Sequence, residues 1–165
     1  SDSTIFCNNR TTSTKVSGTN NNAGYGINPT IYGYERFINY ANQGKLGPTL
    51  NCSLNDSFSV NDTKGNGKLT YPVGLITADE AMMAGGINGS ANTLYYLYTG
   101  QYYWTMSPSD FLGWFIAGEA RVASSGELGR NDTWYGYGVR PVVNLDSDNL
   151  TFTGNGTMQD PYVIS

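Results

Sequence analysis

The chain reads as an α+β domain, with two helices ahead of a twisted antiparallel sheet that carries long loops. Three observations support this. Tyr34, Phe37, Ile38 and Ala41 recur at helical spacing within Ile31–Gln43. Thr77-Ala78-Asp79-Glu80 has the form of a capping box, in which a Thr hydroxyl and a Glu carboxylate each satisfy the other's backbone N–H. From Leu94 to Leu145, aromatic and β-branched residues alternate with polar ones, as strands require.

The 165 residues fit one domain, loop-rich with one helix over 1–70, then a second helix and the late sheet over 71–165. Residues 11–30 are nearly all Thr, Ser, Asn and Gly and cannot bury enough apolar surface to form an element. Gly44 is a stop for the first helix, and Asn61–Leu69 is a turn cluster. Thr70–Ile76 is a strand or extended approach to the second helix, Ala78–Ala84, which ends at Gly85-Gly86. The cap accounts for the adjacent carboxylates Asp79 and Glu80 without an acid–base role.

In the late half, a Thr99-Gly100-Gln101 turn separates two aromatic strands within Leu94–Met106. Alternation sets Tyr102 and Trp104 on one face, Tyr103 and Thr105 on the other. In Phe115–Val122 it sets Ile116, Ala120 and Val122 opposite Glu119 and Arg121. Ser124-Ser125-Gly126 is a hairpin turn into Glu127–Gly129. A closing strand, Gly138–Leu145, puts Val139, Val143 and Leu145 on one side.

A formal charge of −4 and a pI near 4.6 argue against nucleic acid, whose phosphates need a positive field. No run of 18 apolar residues is present, so no membrane insertion is expected. Ser1 is not an initiator residue, and the sequence reads as a mature or trimmed chain. Cys7 and Cys52 match no CxxC redox or zinc pattern. They are either two buried thiols or one disulfide. A surface built from Asn, Ser, Thr and Gly is that of a secreted protein, which favours the disulfide and an extracellular location.

The segments Trp104–Pro108, Gly138-Val139-Arg140-Pro141 and Gly154–Ile164, with a helix at Thr77–Ala84 entered by YPVGLIT, carry a resemblance. Together they resemble a C-type-lectin-like domain of bacterial, Gram-positive-type surface or pilin-like proteins. They are more distantly similar to formylglycine-generating-enzyme-like and retroelement-diversified receptor domains. The likeness is fuller over 71–165 than over 1–70. It implies variable loops on a fixed β core, and binding rather than catalysis. The Glu-Pro-Asn, Gln-Pro-Asp and Trp-Asn-Asp triplets of calcium-dependent lectins are missing, and Arg130-Asn131-Asp132-Thr133-Trp134 has those residue types in another order. A formylglycine-generating enzyme would also need two cysteines close together in a C-terminal site, whereas both cysteines here fall in the first 52 residues.

No histidine, no GxSxG and no phosphate-cradling loop appear, so no enzyme and no cofactor are expected. Glu119 and Glu127 would serve glycoside hydrolysis only if they faced each other. Asp146-Ser147-Asp148-Asn149 offers oxygen ligands for calcium, but a solvated turn explains it as well. Asn61–Lys68 imitates a calcium loop more weakly, with Lys64 and Lys68 opposing a cation. No metal site is assigned.

The candidate ligand-binding residues are Tyr102, Tyr103, Trp114, Asn131, Asp132, Trp134, Tyr135 and Tyr137. Tyr and Trp supply rigid amphipathic contact area, and Asn adaptable hydrogen bonds. The competing explanation is that many of these rings fill the core, which is the reading for Trp104. Arg140 reads as an ion pair or backbone anchor, and Trp134, Tyr135 and Tyr137 as an exposed loop. The expectation is an extracellular surface-binding or adhesion module for a host or cell-surface glycan or protein. Two alternatives remain: the globular head of a pilin-like filament subunit, which associates with itself, and a diversified receptor or phage binding protein.

Overall fold

The computed structural model describes residues 4–7, 30–32, 47–52, 56–60, 67–113, 116–145, 150–155, 157 and 159–164. Among them strands hold 41% and helix 7%. The α+β expectation, two helices and a C-type-lectin-like sheet, is therefore corrected. The described chain is mostly β, with one short helix. Of the proposed first helix, Ile31–Gln43, the first residue belongs to a strand, as the β-branched pair Thr30-Ile31 favours, and positions 33–46 lie outside the described residues.

The first half contributes β1 (Ile5–Cys7), β2 (Thr30–Ile31), β3 (Ser57–Ser59), β4 (Gly67–Lys68), β5 (Val73–Gly74) and α1 (Ala78–Met83). The second adds β6 (Ile87–Asn88), β7 (Tyr103–Gly113), β8 (Ile116–Val122), β9 (Glu127–Asp132), β10 (Val142–Val143), β11 (Phe152–Thr153) and β12 (Val163–Ile164). The main sheet has the order β2-β7-β8-β9-β6, antiparallel except for the β6–β9 edge. A smaller sheet runs β1-β3-β4, and β10-β5 and β11-β12 are two-stranded ribbons.

Alternation along β7 and β8 places the core as the sequence indicates. Tyr103, Thr105, Ala120 and Val122 are buried, and Trp104, Glu119 and Arg121 lie on the opposite face. Leu128 of β9 completes the inner face, and Ala78 and Ala81 of α1 pack against it with Tyr95. Small side chains on α1 bring the helix close to the sheet. The helix starts where the capping box puts it. Thr77 accepts from the Glu80 N–H at 3.1 Å, and Glu80 returns the bond to the Thr77 N–H at 2.8 Å. It ends in a Schellman turn, with Gly86 N–H donating to Ala81 C=O and Gly85 N–H to Met82 C=O. Ser107 Oγ of β7 accepts from the Ala78 N–H at 2.9 Å, which fixes the helix start to the sheet.

Two late strands differ from expectation. Leu94–Tyr98 is a turn, because Tyr95 points inward and donates to the Gly126 carbonyl at 3.0 Å instead of entering a ladder. Burial pushes that phenol up to about 12, so it remains a donor. Gly138–Leu145 is not one strand: Gly138 makes an isolated parallel bridge to Tyr103 of β7, and Val142–Val143 pairs with β5. Val139, Val143 and Leu145 are exposed and form no core face. Pro141 lacks the N–H that a longer ladder would need. The predicted β8–β9 hairpin is present. Its Gly126 has φ +78°, and a Cβ there would overlap the Asn92 carbonyl, so only glycine fits the turn.

The smaller sheet is tied in covalently. Cys7 of β1 and Cys52 form a disulfide with a Cα–Cα distance of 5.7 Å, settling the cysteine question. Asn144 donates to the Ile5 carbonyl at 3.3 Å, and Asp79 accepts from the Thr49 N–H at 2.7 Å. Among the described residues no helix is long and apolar enough to cross a membrane. Closing a loop across 45 positions removes enough unfolded-state entropy to stabilise the fold by about 4 kcal/mol. Replacing both cysteines with serine is expected to lower the urea midpoint accordingly. An unchanged midpoint would show that the β1-β3-β4 sheet does not unfold with the rest.

Candidate functional site

The outer face of the main sheet is built from the residues that alternation turns away from the core. Trp104 of β7 stands beside Arg121 of β8, which stands beside Gly129 of β9. In the next row Pro108, Glu119 and Asn131 occupy the same three strands. The Arg121 guanidinium lies flat over Gly129, close enough that a Cβ there would approach it to about 2.9 Å. It also sits 5.4 Å from the Tyr102 ring centroid, a cation–π contact. Its Nη2 is 3.8 Å from Glu127 Oε1, and Nη1 donates to the Glu127 carbonyl at 3.4 Å.

Past Asp132 the chain does not continue the hairpin. Tyr135 N–H donates to the Asp132 carbonyl, closing a turn, and by Gly138 the chain has reached the far side of β7. There Gly138 N–H donates to Tyr102 C=O at 2.9 Å, and the Gly138 carbonyl accepts from Trp104 N–H at 3.0 Å. Residues 133–137 thus cross from the β9 edge to the β7 side of the sheet. The Tyr137 side chain spans the same gap. Its ring stacks on Tyr102 at 4.8 Å and packs on Trp104 at 4.7 Å, while its hydroxyl accepts from Asn131 Nδ2 on β9.

The result is one row of five rings. Tyr135 stacks on Tyr137 with centroids 5.8 Å apart, and Trp134 follows at 6.2 Å, tilted by 39°. Trp134 is 63% exposed, Tyr135 47% and Tyr102 39%. Because Tyr137 is flanked by several rings, its faces are largely used up in the row. Trp134 ends the row with a single ring contact among the described residues and is the most exposed ring of the row.

Of the predicted binding residues, the structure thus brings Tyr102, Trp134, Tyr135, Tyr137 and Asn131 together. Tyr103 is not among them. It is 2% exposed in the core, where burial raises its phenol and its hydroxyl donates to the Leu97 carbonyl at 3.0 Å. Trp114 lies outside the described residues. Asp132 points to the inner face, where it holds Arg130 Nη1 at 2.7 Å. The same guanidinium grips buried Asp110, with Nε to Oδ2 at 2.9 Å, and Asp110 accepts from Ser109 Oγ at 2.8 Å. Hydrogen bonding to Asp110 raises the Arg130 proton affinity, so this cation is permanent and structural. Trp104, expected in the core, is part of the row instead. Arg140 is the backbone anchor expected, donating to Leu97 C=O at 2.9 Å with its guanidinium 4.8 Å from the Tyr103 ring centroid.

Glu119 and Glu127 do not form a hydrolytic pair. Asn131 is the partner of Glu119 on β9, and Glu127 lies four residues further along. At about 3.3 Å per residue this leaves roughly 13 Å of strand, beyond the roughly 5–9.5 Å of glycosidase carboxylates. Among the described residues no group of three or more acidic, His or Cys side chains is placed to hold a metal. Positions 146–149 and 61–66, which hold most of the two calcium-loop candidates, lie outside them. A cleft of about 300 Å³ lies between the disulfide and the start of α1, and a shallow, mostly apolar shelf of about 570 Å³ lies behind Met82 and Ile87. In the cleft, Glu80 is committed to the helix cap and Asp79 to Thr49.

No protein-family model matches this chain, and neither a curated protein nor a solved structure matches it.

Two residues of the surface were missed by sequence reasoning as site residues, Trp104 and Arg121. Their alternation with Tyr103 and Ala120 was the signal that placed them on the outer face. Tyr137 holds the crossing segment, through its ring contacts and its bond to Asn131. A double-mutant cycle of Tyr137→Phe with Asn131→Ala is expected to show a coupling of about 1 kcal/mol in unfolding free energy. Tyr137→Leu is expected to cost more, because each lost ring pair contributes roughly 0.5–1.5 kcal/mol beyond area. A coupling of zero would show that the crossing is held by backbone bonds alone.

Proposed function

We propose that this chain is an extracellular binding module, not an enzyme, and that it recognises a carbohydrate or protein ligand through the aromatic row ending at Trp134. The observation that carries the reading is the row itself. Five rings, from Tyr102, from Trp104 of β7 and from the crossing segment, form one continuous strip, most exposed at Trp134. A monomer has little reason to hold a tryptophan at 63% exposure at the tip of a segment whose other rings are packed. Aromatic residues of this kind carry most of the energy in recognition surfaces. The disulfide supports an oxidising, extracellular setting.

Trp134→Ala is the decisive variant, because Tyr137 supports the segment and its removal would confuse folding with binding. In glycan-array and cell-surface protein capture experiments, the wild-type chain is expected to bind saturably. Trp134→Ala is expected to weaken binding about 30-fold or more, with its near-ultraviolet circular dichroism retained. Equal binding by the variant would remove the row as the recognition surface. Binding confined to proteins would remove the carbohydrate half of the reading.

A separate observation favours a second reading, the head of a filament subunit. Val73 and Val143 are register partners across the β5–β10 ribbon and both are exposed, together with Tyr71, Val139 and Leu145. Two-stranded ribbons are marginal alone and gain stability from a partner. On this reading sedimentation shows concentration-dependent assembly that Val143→Lys abolishes and Trp134→Ala leaves intact. A monomer at every concentration overturns it.

A further inference from the structure

Beyond α1, the loop from Asn92 to Tyr98 is fixed at several points, and Asn92 is its clamp. The Asn92 side chain donates to the Gly85 carbonyl at 2.7 Å, and its N–H donates to the Ser125 carbonyl in the β8–β9 turn at 3.1 Å. Its Oδ1 accepts from the Leu94 N–H at 3.0 Å. Tyr95 then enters the core and bonds the Gly126 carbonyl, and the Leu97 carbonyl accepts from both Tyr103 and Arg140. Between these fixed points Leu94 is 94% exposed and Tyr96 80%. A single exposed apolar side chain is ordinary. Here two stand on either side of a buried one, on a backbone that has no freedom to turn them inward.

The clamp also joins this projection to a recess. Asn92 lines the apolar shelf, together with Met82, Gly85, Gly86 and Ile87. The shelf's volume of about 570 Å³ lies within the roughly 300–1,000 Å³ of sites that hold a drug-sized group, so a leucine side chain enters it with room to spare. Two glycines leave the recess open where side chains would otherwise fill it, and the unbranched Met82 adapts to what enters.

Charge and adjacency decide the occupant. The chain carries a net charge of −4, so two copies repel except where neither presents a charge. Ala81–Ser109 contains no charged residue, and among the described residues none lines the shelf. Glu127, the register partner of Ile87, is 3.8 Å from the Arg121 guanidinium, which offsets it. An apolar projection beside an apolar recess on one uncharged face is self-complementary across a two-fold axis. Each copy fills the other, and the contact closes after two.

We propose that this face joins two copies of the chain into a closed dimer, with Leu94 of each copy seated in the other's shelf and Tyr96 packed at the rim. Two loops and two shelves make a small interface, so the association is weak and concentration-dependent. It goes beyond the binding reading, since it uses no residue of the aromatic row. It also differs from the filament reading, because it stops at two copies and uses no residue of the β5–β10 ribbon.

The test is analytical sedimentation from about 10 μM to about 1 mM, which spans the range of weak association. The wild-type chain is expected to pass from monomer to dimer and no further. Leu94→Lys on the projection and Ile87→Glu on the shelf are each expected to weaken dimerisation about 30-fold or more, with near-ultraviolet circular dichroism retained. Both positions are exposed, so two independent variants keep folding apart from association. Val143→Lys is expected to leave the dimer intact. In a dimer of one isotope-labelled and one unlabelled copy, nuclear Overhauser contacts are expected between the Leu94 methyls of one and the Met82 methyl of the other. A monomer throughout, a dimer that survives Leu94→Lys, or a dimer without that contact between copies would each overturn the proposal. Assembly lost in Val143→Lys but not in Leu94→Lys would overturn it in favour of the ribbon. No ligand enters the experiment, so its failure leaves the binding reading standing.

Discussion

Strand β7 serves three parts of the molecule at once, and its two-residue repeat is the constraint on which the rest depends. Tyr103 and Thr105 go inward to meet α1, Ala120 and Val122, and Tyr102 and Trp104 go outward to begin the aromatic row. The backbone between them then receives Gly138 on the side away from β8. A slip of one residue in the β7–β8 register would bury Trp104 and Arg121 and expel Tyr103. Core, row and crossing segment would be lost together. The register is pinned by Thr105 Oγ1, which donates to the Ala120 carbonyl at 2.9 Å. The irregularity that a long strand containing Pro108 needs is confined to the bulges beyond Trp104.

The outer face is held by different forces from the inner one. Inside, small and apolar side chains are fully enclosed, and a cluster of charges, Asp110–Arg130–Asp132, is closed on itself with Ser109. Outside, Arg121 has contacts to Tyr102 and Glu127, yet its Nε is buried without a hydrogen-bond partner. Unmet polar groups weaken local stability.

The periphery is built from short pieces. The β5–β10 and β11–β12 ribbons have two residues per strand and keep Val73, Val143, Phe152 and Ile164 exposed. Elements this small contribute little alone. The β1-β3-β4 sheet resembles them in size but has Phe6 buried against Gly74, and the Cys7–Cys52 bridge. The stable centre of the chain is therefore α1 with β7, β8 and β9, and the disulfide extends its cooperativity toward the N-terminal sheet.

What was legible in the sequence was local. The capping box names its own partners within four residues, alternation names the faces of β7 and β8, and Ser124-Ser125-Gly126 names a turn, because each depends only on backbone geometry over a few positions. The acidic, histidine-free composition likewise bounded the chemistry without any fold. The fold class was misjudged because the helical spacing within Ile31–Gln43 was read as a first helix, whereas Ile31 lies in a strand and the described chain is mostly β with one short helix. Separately, the apolar patterns of Leu94–Tyr98 and Gly138–Leu145 suit strands, but tertiary packing gave Tyr95 a carbonyl at Gly126 and gave Val142–Val143 only the short β5. Most rings of the aromatic row were named as candidates, but their mutual contacts could not be read, because Tyr102 and Tyr137 are 35 positions apart and meet only when the crossing segment returns to β7. Whether a tyrosine is core or surface was set by strand parity, which the sequence shows. Which surface rings touch was set by long-range topology, which one-dimensional spacing does not encode.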